Sequence, residues 1–176
     1  ASPLLALFPG SRRNELRQHL PLFLETVRVL HARRPDVRFA LGLAPTLERG
    51  GVEASLRSAK LPDGLSLAVV AGRAHELLLP SDVVLAKPGT VTIEAMLLDR
   101  PLVVAGRASR LSVAIGRRII HVPSFSMANL IADAPVVPEF LQEEIHVLHT
   151  DTVRIEPQVP GAAAALEAPV FGLLRK

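Results

Sequence analysis

The segment PLLALFPGSRRNELRQHLPLFLETVRVL, residues 3–30, joins a short apolar run to a long segment with helical periodicity. The apolar run at 3–8 ends in Pro9-Gly10, a pair that favours a turn. The segment predicts a strand, a turn and an amphipathic helix, with Pro21 either kinking that helix or delaying its start. Apolar side chains recur beyond the turn at the spacing of a helix that buries one face, at Leu16, Leu20, Phe23, Leu24, Val27 and Leu30.

The same alternation of apolar runs and helical segments continues along the chain. Apolar runs bounded by turn residues predict strands at 3–8, 37–43, 65–70, 82–86, 101–105 and 119–122. Helical spacing predicts helices at 14–34, 46–59, 74–80, 91–98 and 110–118. Strands that are apolar on both faces are typical of parallel sheets covered by helices. We therefore predict an α/β fold with a doubly wound parallel sheet over residues 1–148. A C-terminal extension follows over 149–176, where prolines and an alanine run break the pattern.

The composition excludes several classes of protein. Of 176 residues, 49% are hydrophobic and 21% charged, which indicates a globular chain rather than a disordered one. With 3% aromatic residues and a net charge of +3, the sequence does not point to a nucleic-acid partner. The absence of cysteine excludes disulfides and thiolate metal sites. No apolar run approaches the ~18 residues of a membrane span and no signal peptide is evident, so we predict a cytoplasmic protein. Ala1 in place of an initiator methionine suggests a piece of a longer protein or a processed chain.

The loop after the first predicted strand is a candidate site, because ligands of open α/β sheets bind beyond the carboxyl ends of the strands. Gly10 allows a sharp turn or a close approach of the backbone to a ligand. The N–H groups that open the following helix attract anions, and Ser11 and Arg12 add a hydroxyl and a guanidinium. These features predict a phosphate site in which Arg12 contributes more than Arg13. In the alternative, which stays open here, both arginines only point into solvent.

The stretch AKPGTVTIEAMLL, residues 86–98, forms a second strand–turn–helix junction. Thr90 is placed to cap the helix, and Glu94 falls in its first turn. In the functional interpretation, the amides of Gly89 and Thr90 hold a phosphate, Lys87 adds charge, and the Glu94 carboxylate accepts hydrogen bonds from two ribose hydroxyls. In the alternative interpretation, Glu94 merely complements the helix dipole.

The third candidate segment spans residues 121–144 and mixes polar side chains with prolines. Asn129 and Gln142 carry amides that can hydrogen-bond a ligand, although Asn129 could instead be a helix N-cap. Glu139 and the glutamates after it could form a solvated face. The histidines show no metal-ligand spacing, and His19, early on the first helix, is predicted to lie on the surface.

Three motifs, taken in order, resemble one known family. LFPGSRRNEL (7–16), KPGTVTIEAMLLDRPLVV (87–104) and NLIADAPVVPEFLQEE (129–144) resemble the C-terminal half of lipid-A-disaccharide synthase over about residues 3–145. The resemblance implies one Rossmann-like domain of a GT-B glycosyltransferase, an inverting enzyme. Members transfer an acylated glucosamine from UDP to an acylated glucosamine 1-phosphate and require neither a metal nor a cofactor. The half represented here binds the UDP of the UDP-sugar donor.

The resemblance also assigns site residues by position, with Arg12 as the phosphate contact. The family's nucleotide-binding positions fall on Gly10, Ser11, Arg12, Gly89, Thr90, Glu94, Arg107, Asn129, Glu139 and Gln142. Pro88 replaces a serine of the family pattern, Gly106 a tyrosine and Ala128 a proline, which indicates a divergent relative.

The resemblance further implies that a missing N-terminal domain supplies the acceptor side and the catalytic base. This chain would then bind nucleotide but would not turn over alone. The full protein would be cytoplasmic and peripheral at the inner membrane surface. Two other functions stay open: another GT-B sugar-nucleotide enzyme, such as an epimerase or an N-acetylglucosaminyl transferase, and a degenerate, non-catalytic domain for partner or membrane contact.

Overall fold

The computed structural model describes residues 2–107 and 124–141, within which the chain forms six strands and five helices. The strands are β1 (Leu4–Phe8), β2 (Arg38–Leu43), β3 (Leu67–Ala71), β4 (Val83–Ala86), β5 (Leu102–Gly106) and β6 (Glu139–Leu141). The helices are α1 (Arg13–Arg33), α2 (Arg49–Ser58), α3 (Ala74–Leu78), α4 (Val91–Leu97) and α5 (Met127–Ala132).

The six strands form one parallel sheet in the order β3-β2-β1-β4-β5-β6. Ala6 in β1 is in register with Ala40 of β2 on one side and with Val84 of β4 on the other. This is the strand order of the Rossmann fold, in which the chain winds outward from β1 in both directions. The predicted α/β class and doubly wound parallel sheet are therefore confirmed. The switch point, where the winding reverses, lies between β1 and β4.

Successive side chains along each strand alternate between two apolar cores, as the period of a strand requires. In β1, Leu5 and Leu7 pack on the α1 and α2 side, whereas Ala6 and Phe8 pack on the α3 and α4 side. Both sets are buried. Burial on both faces explains why the sequence of β1 is an unbroken apolar run.

Helix α1 runs without a break from Arg13 to Arg33 and includes Pro21. The helix starts well before Pro21, so the expected delayed start is wrong, whereas the expected kink stays a prediction. Pro21 lies on the exposed face of the helix, so its missing N–H affects a carbonyl on the solvent side. In the part of the chain that is described, no helix combines the length and hydropathy needed to cross a membrane.

Two short elements, α5 and β6, were not predicted from the sequence. The predicted helix at 110–118, the predicted strand at 119–122 and the proposed extension at 149–176 lie outside the described residues. The division at residue 148 therefore stays a prediction.

Candidate functional site

A cavity of about 230 Å³ opens at the carboxyl ends of β1, β2, β3 and β4, beside the switch point of the sheet. Ligands of doubly wound sheets bind in this position, because the loops there diverge and leave a crevice. The lining comes from four successive loops and comprises Phe8, Gly10, Ser11, Gly42, Leu43, Ala44, Pro45, Gly72, Ala74, Lys87, Gly89, Thr90, Val91 and Glu94. A larger hollow of about 630 Å³ borders Ser2, Leu4 and Arg38 near the amino ends of the strands, and none of the predicted site residues lines it.

The structure brings five of the predicted site residues together around the 230 Å³ cavity. They come from two loops that are far apart in sequence and are Gly10, Ser11, Gly89, Thr90 and Glu94. The loops meet because β1 and β4 are adjacent parallel strands whose carboxyl ends share one edge. Gly42 leaves the space for Phe8 at the base of the cavity, since a Cβ there would lie 2.3 Å from the Phe8 ring.

Gly10 is required by the shape of the β1–α1 loop. Its φ of +136° is a conformation that other residues rarely adopt. A Cβ at this position would also lie 2.6 Å from the Cβ of Glu15 and 2.8 Å from its Oε2. The loop therefore folds back against the first turn of α1.

Glu15 organises this loop, although it was not among the residues predicted for the site. Its Oε2 accepts a hydrogen bond of 2.9 Å from the Ser11 backbone N–H, and its Oε1 lies 3.1 Å from Arg12 Nη1 and 3.4 Å from Lys87 Nζ. Burial alone would raise the pKa of Glu15, but the Ser11 N–H and the charges of Lys87 and Arg12 outweigh it, so the pKa is lowered. The available signal was an acidic residue four positions after a serine, in the first turn of a helix.

The structure does not place Arg12 or Arg13 in the lining of the cavity. The Arg12 side chain is 81% exposed and pairs with Glu15 at 3.1 Å. Arg13 pairs with Glu48 at 3.1 Å, and both of those side chains are largely exposed. Arg12 as a phosphate contact stays a prediction, which requires its guanidinium to turn from Glu15 towards the cavity.

Glu94 lines the cavity from the first turn of α4, and its Oε2 lies 3.2 Å from Nε2 of His75. Thr90 occupies the N-cap position, but its side chain makes no capping hydrogen bond, so the predicted cap is wrong. Thr92 makes the local contact instead, donating its hydroxyl to the Gly89 carbonyl at 2.7 Å. The Thr90 hydroxyl is therefore not committed to the helix.

Asn129 and Glu139 lie together, but outside the lining of the cavity. The Asn129 amide donates to Glu139 Oε1 at 2.7 Å and to the Val137 carbonyl at 2.8 Å, and it accepts from the Val137 N–H at 2.8 Å. Glu139 also accepts from the N–H groups of Phe125 and Ser126 at 2.9 and 2.8 Å, and from the Ser124 hydroxyl. These bonds join the segment before α5 to β6. The N-cap alternative for Asn129 is wrong, because Ser126 caps α5. For Glu139 the solvated-face alternative is wrong as well, because its carboxylate accepts four hydrogen bonds, whereas the glutamates after it lie outside the described residues.

Arg107 follows β5, and its backbone N–H donates to Nε2 of His19 at 3.2 Å. His19 is buried at 5% exposure, so its predicted surface position is wrong. Gln142, the remaining predicted site residue, lies outside the described residues. Within residues 2–107 and 124–141, no group of three or more His, Asp or Glu side chains is arranged to hold a metal ion.

The sheet order and the position of the cavity define a Rossmann-like α/β domain. The chain belongs to the lipid-A-disaccharide synthetase family, whose model matches residues 1–156.

Curated relatives support this membership. The chain is 38% identical over 144 residues to the lipid-A-disaccharide synthase of Alteromonas mediterranea, covering 81% of this chain and 38% of that protein. It is 34% identical over 196 aligned residues to the enzyme of the same name from Anaeromyxobacter dehalogenans strain 2CP-C, covering 99% and 50%. The chain thus spans half or less of the length of these relatives.

Solved structures share the fold at low sequence identity. A crystal structure of TarM superposes with a TM-score of 0.56 at 13% identity, covering 99% of this chain and 30% of TarM. A mutant TarM from S. aureus, solved with fondaparinux, alpha-GlcNAc-glycerol and UDP, gives 0.53 at 12% identity, with the same coverage.

Proposed function

We propose that this chain is the donor-binding half of a glycosyltransferase and that its 230 Å³ cavity binds the UDP of a UDP-sugar. One observation supports this most strongly: the two turns predicted for phosphate and ribose line the same cavity at the switch point of the sheet. Family membership supports the nucleotide and the class of reaction. The donor is an acylated glucosamine carried on UDP, and the acceptor is an acylated glucosamine 1-phosphate.

In this proposal, the diphosphate lies between the Ser11 and Gly89–Thr90 loops. The first N–H groups of α1 have no acceptors within the helix, so they favour an anion at that end. Lys87 adds a positive charge to the lining. Arg12, exposed and held only by Glu15 among the described contacts, turns towards the phosphates when the ligand binds.

Glu94 recognises the ribose in this proposal. An ionised carboxylate accepts hydrogen bonds only, and its two oxygens can take both hydroxyls of a vicinal diol. Glu94 is about one-third exposed and lines the cavity, so a ligand can reach it. Its present contact, the ring of exposed His75, can be given up at little cost.

The reaction of the whole protein belongs to the proposal as well. Because the relatives are at least twice as long as the matched part, turnover requires residues that this chain does not contain. The acceptor, a cytoplasmic location and contact with the inner membrane surface would then be properties of the whole enzyme. Pro88, which offers the second loop no N–H, leaves Gly89 and Thr90 as the amide donors there.

Calorimetry and thermal melts with UDP, GDP, ADP and CMP at equal concentration test the nucleotide assignment. UDP should bind most tightly, and at about 100 times its Kd it should stabilise the fold by about 2.7 kcal/mol. Glu94→Ala should weaken the binding, whereas Glu53→Ala, on the exposed face of α2, should leave it unchanged. No stabilisation by any nucleotide would contradict the proposal and favour a degenerate, non-catalytic domain. Products formed by the whole protein from UDP-sugars would separate glycosyl transfer from epimerisation.

A further inference from the structure

Glu15 and Lys87 form an ion pair between the two loops of the cavity. The pair joins Glu15 Oε1 to Lys87 Nζ at 3.4 Å, and the two side chains are only 19% and 20% exposed. The pairs Arg13–Glu48 and Arg73–Glu76 are at least 62% exposed on each side. The Glu15–Lys87 pair is therefore shielded from water in a way that those two pairs are not.

Each partner is also fixed to its own loop. Glu15 Oε2 holds the Ser11 N–H at 2.9 Å in the β1–α1 loop. The ammonium of Lys87 sits against the β4–α4 turn, because a Cβ on Gly89 would lie 3.0 Å from Lys87 Nζ. The Lys87 backbone N–H donates to the Phe8 carbonyl at 3.0 Å. The ion pair thus bridges the two loops that face each other across the cavity.

We infer that Glu15 is a positioning residue for the diphosphate: it holds Lys87 and the Ser11 loop at the separation that the ligand requires. This inference rests on the proposed function and adds to it a residue that does not line the cavity. An enclosed ammonium needs a partner, because removing it from water without one is costly. Glu15 supplies that partner from outside the lining, and Lys87 itself lines the cavity, where it can meet an anion.

A competing role for Glu15 has the opposite sign. A carboxylate near the site could act only as a negative charge that opposes the anion. Removing that charge would then strengthen binding whether or not Lys87 is present. If Glu15 acts through Lys87, removing it weakens binding, and the loss depends on the lysine.

A double-mutant cycle on the 176-residue chain separates these roles, with UDP, inorganic pyrophosphate and uridine as probes in calorimetry. We expect Glu15→Ala and Lys87→Met each to weaken UDP and pyrophosphate binding by about tenfold. The double variant should also bind about tenfold more weakly than the wild type, and not about a hundredfold, because both substitutions remove the same interaction. Uridine, which has no phosphate, should bind all variants equally. Glu53→Ala, which removes an exposed ion pair on α2, is the matched control and should bind all three probes like the wild type.

The conservative variant Glu15→Gln keeps the shape of the side chain and an oxygen for the Ser11 N–H. It should weaken UDP binding in the wild-type background and have no effect in the Lys87→Met background. It therefore replaces Glu15→Ala in the cycle if circular dichroism shows that Glu15→Ala is unfolded.

The positioning role would be overturned if the Glu15 variants bound UDP with wild-type affinity or more tightly, or if the losses of the two single variants multiplied in the double variant. Any of these results would leave the proposed function intact. A wild-type chain that binds neither UDP nor pyrophosphate would overturn both. A wild-type chain that binds pyrophosphate but not UDP would contradict only the uridine assignment, and the affinities of the cycle would then be compared for pyrophosphate.

Discussion

Nε2 of His19 accepts a hydrogen bond of 3.2 Å from the backbone N–H of Arg107, 88 residues further along the chain. The other ring nitrogen, Nδ1, lies 2.7 Å from the Glu15 carbonyl oxygen, which can only accept. These partners require a neutral ring with its proton on Nδ1. Burial, reinforced by the charges of Lys87 and Arg107, lowers the pKa of His19, although Glu15 partly opposes the shift. The imidazole therefore joins α1 to the end of β5 only while it is neutral.

Stability should consequently depend on the charge of His19. Because its pKa in the folded state lies below the ordinary 6.5, the unfolded state takes up the proton first as pH falls. The contribution of His19 is complete well above that ordinary value and is lost as pH falls through it towards the folded pKa. We expect His19→Ala to cost about 1–3 kcal/mol at about pH 8 and less at about pH 5, measured by urea unfolding. Gln18→Ala, exposed on the same helix, should show a small difference that does not change with pH. A cost for His19→Ala that grows as pH falls would contradict the prediction.

Gly10→Ala should damage both the fold and the site. The φ of +136° and the 2.6 Å approach to Glu15 Cβ are incompatible with a side chain, and such backbone strain costs about 1–3 kcal/mol. Glu15 would be pushed from Ser11, so UDP affinity should fall together with the melting temperature. Gly51→Ala is the matched control, because a Cβ there meets nothing within 4 Å. Because alanine favours a helix more than glycine does, Gly51→Ala should raise the free energy of unfolding by about 0.5–1 kcal/mol. Equal effects of the two substitutions would show that the loop does not need the glycine.

Glu139→Gln should destabilise the protein although the two side chains have almost the same shape. Glu139 Oε2 accepts from the Phe125 N–H, while Oε1 accepts from Ser126 and Asn129. In glutamine, an NH₂ group replaces one of these two oxygens. This NH₂ group would then face an N–H donor of the protein, and no hydrogen bond could form between them. We expect a loss of about 1–3 kcal/mol in chemical unfolding. Glu53→Gln, at an exposed ion pair, should change stability by less than about 1 kcal/mol. An unchanged unfolding midpoint for Glu139→Gln would mean that the hydrogen bonds of Glu139 make no net contribution to the stability of the protein.

The sheet could be predicted from the sequence because its central strands, such as β1, β4 and β5, are buried on both faces. In the predicted strand at 82–86, four apolar residues follow Asp82, as is typical of a strand buried on both faces, and β4 spans Val83–Ala86. The meeting of Gly10 with Gly89 and Glu94 was also predictable, since the carboxyl ends of parallel strands share an edge.

The features that the sequence could not reveal depend on contacts between distant segments. His19 is buried because β5 ends beside it, and nothing within α1 indicates that neighbour. Glu15 looks like an ordinary acidic residue of a first helical turn until the conformation of Gly10 brings Ser11 over it. The short strand β6 begins with Glu139, whose carboxylate accepts hydrogen bonds from two backbone N–H groups and from the side chains of Ser124 and Asn129. A charged residue in a short segment ordinarily indicates a loop, so the strand was missed.

Glu94 gives a prediction that separates ribose recognition from nucleotide binding in general. If its carboxylate accepts both ribose hydroxyls, the wild-type chain should bind UDP about tenfold or more tightly than 2′-deoxy-UDP, because a hydrogen bond to a charged group contributes about 1.5–3 kcal/mol. Glu94→Ala should weaken UDP binding and bind the two nucleotides equally. Glu53→Ala, remote from the cavity, should keep the wild-type preference. Calorimetric titration of each variant with each nucleotide gives the comparison. A Glu94→Ala variant that still prefers UDP would assign the ribose contact to another residue and leave Glu94 to interact with the dipole of α4.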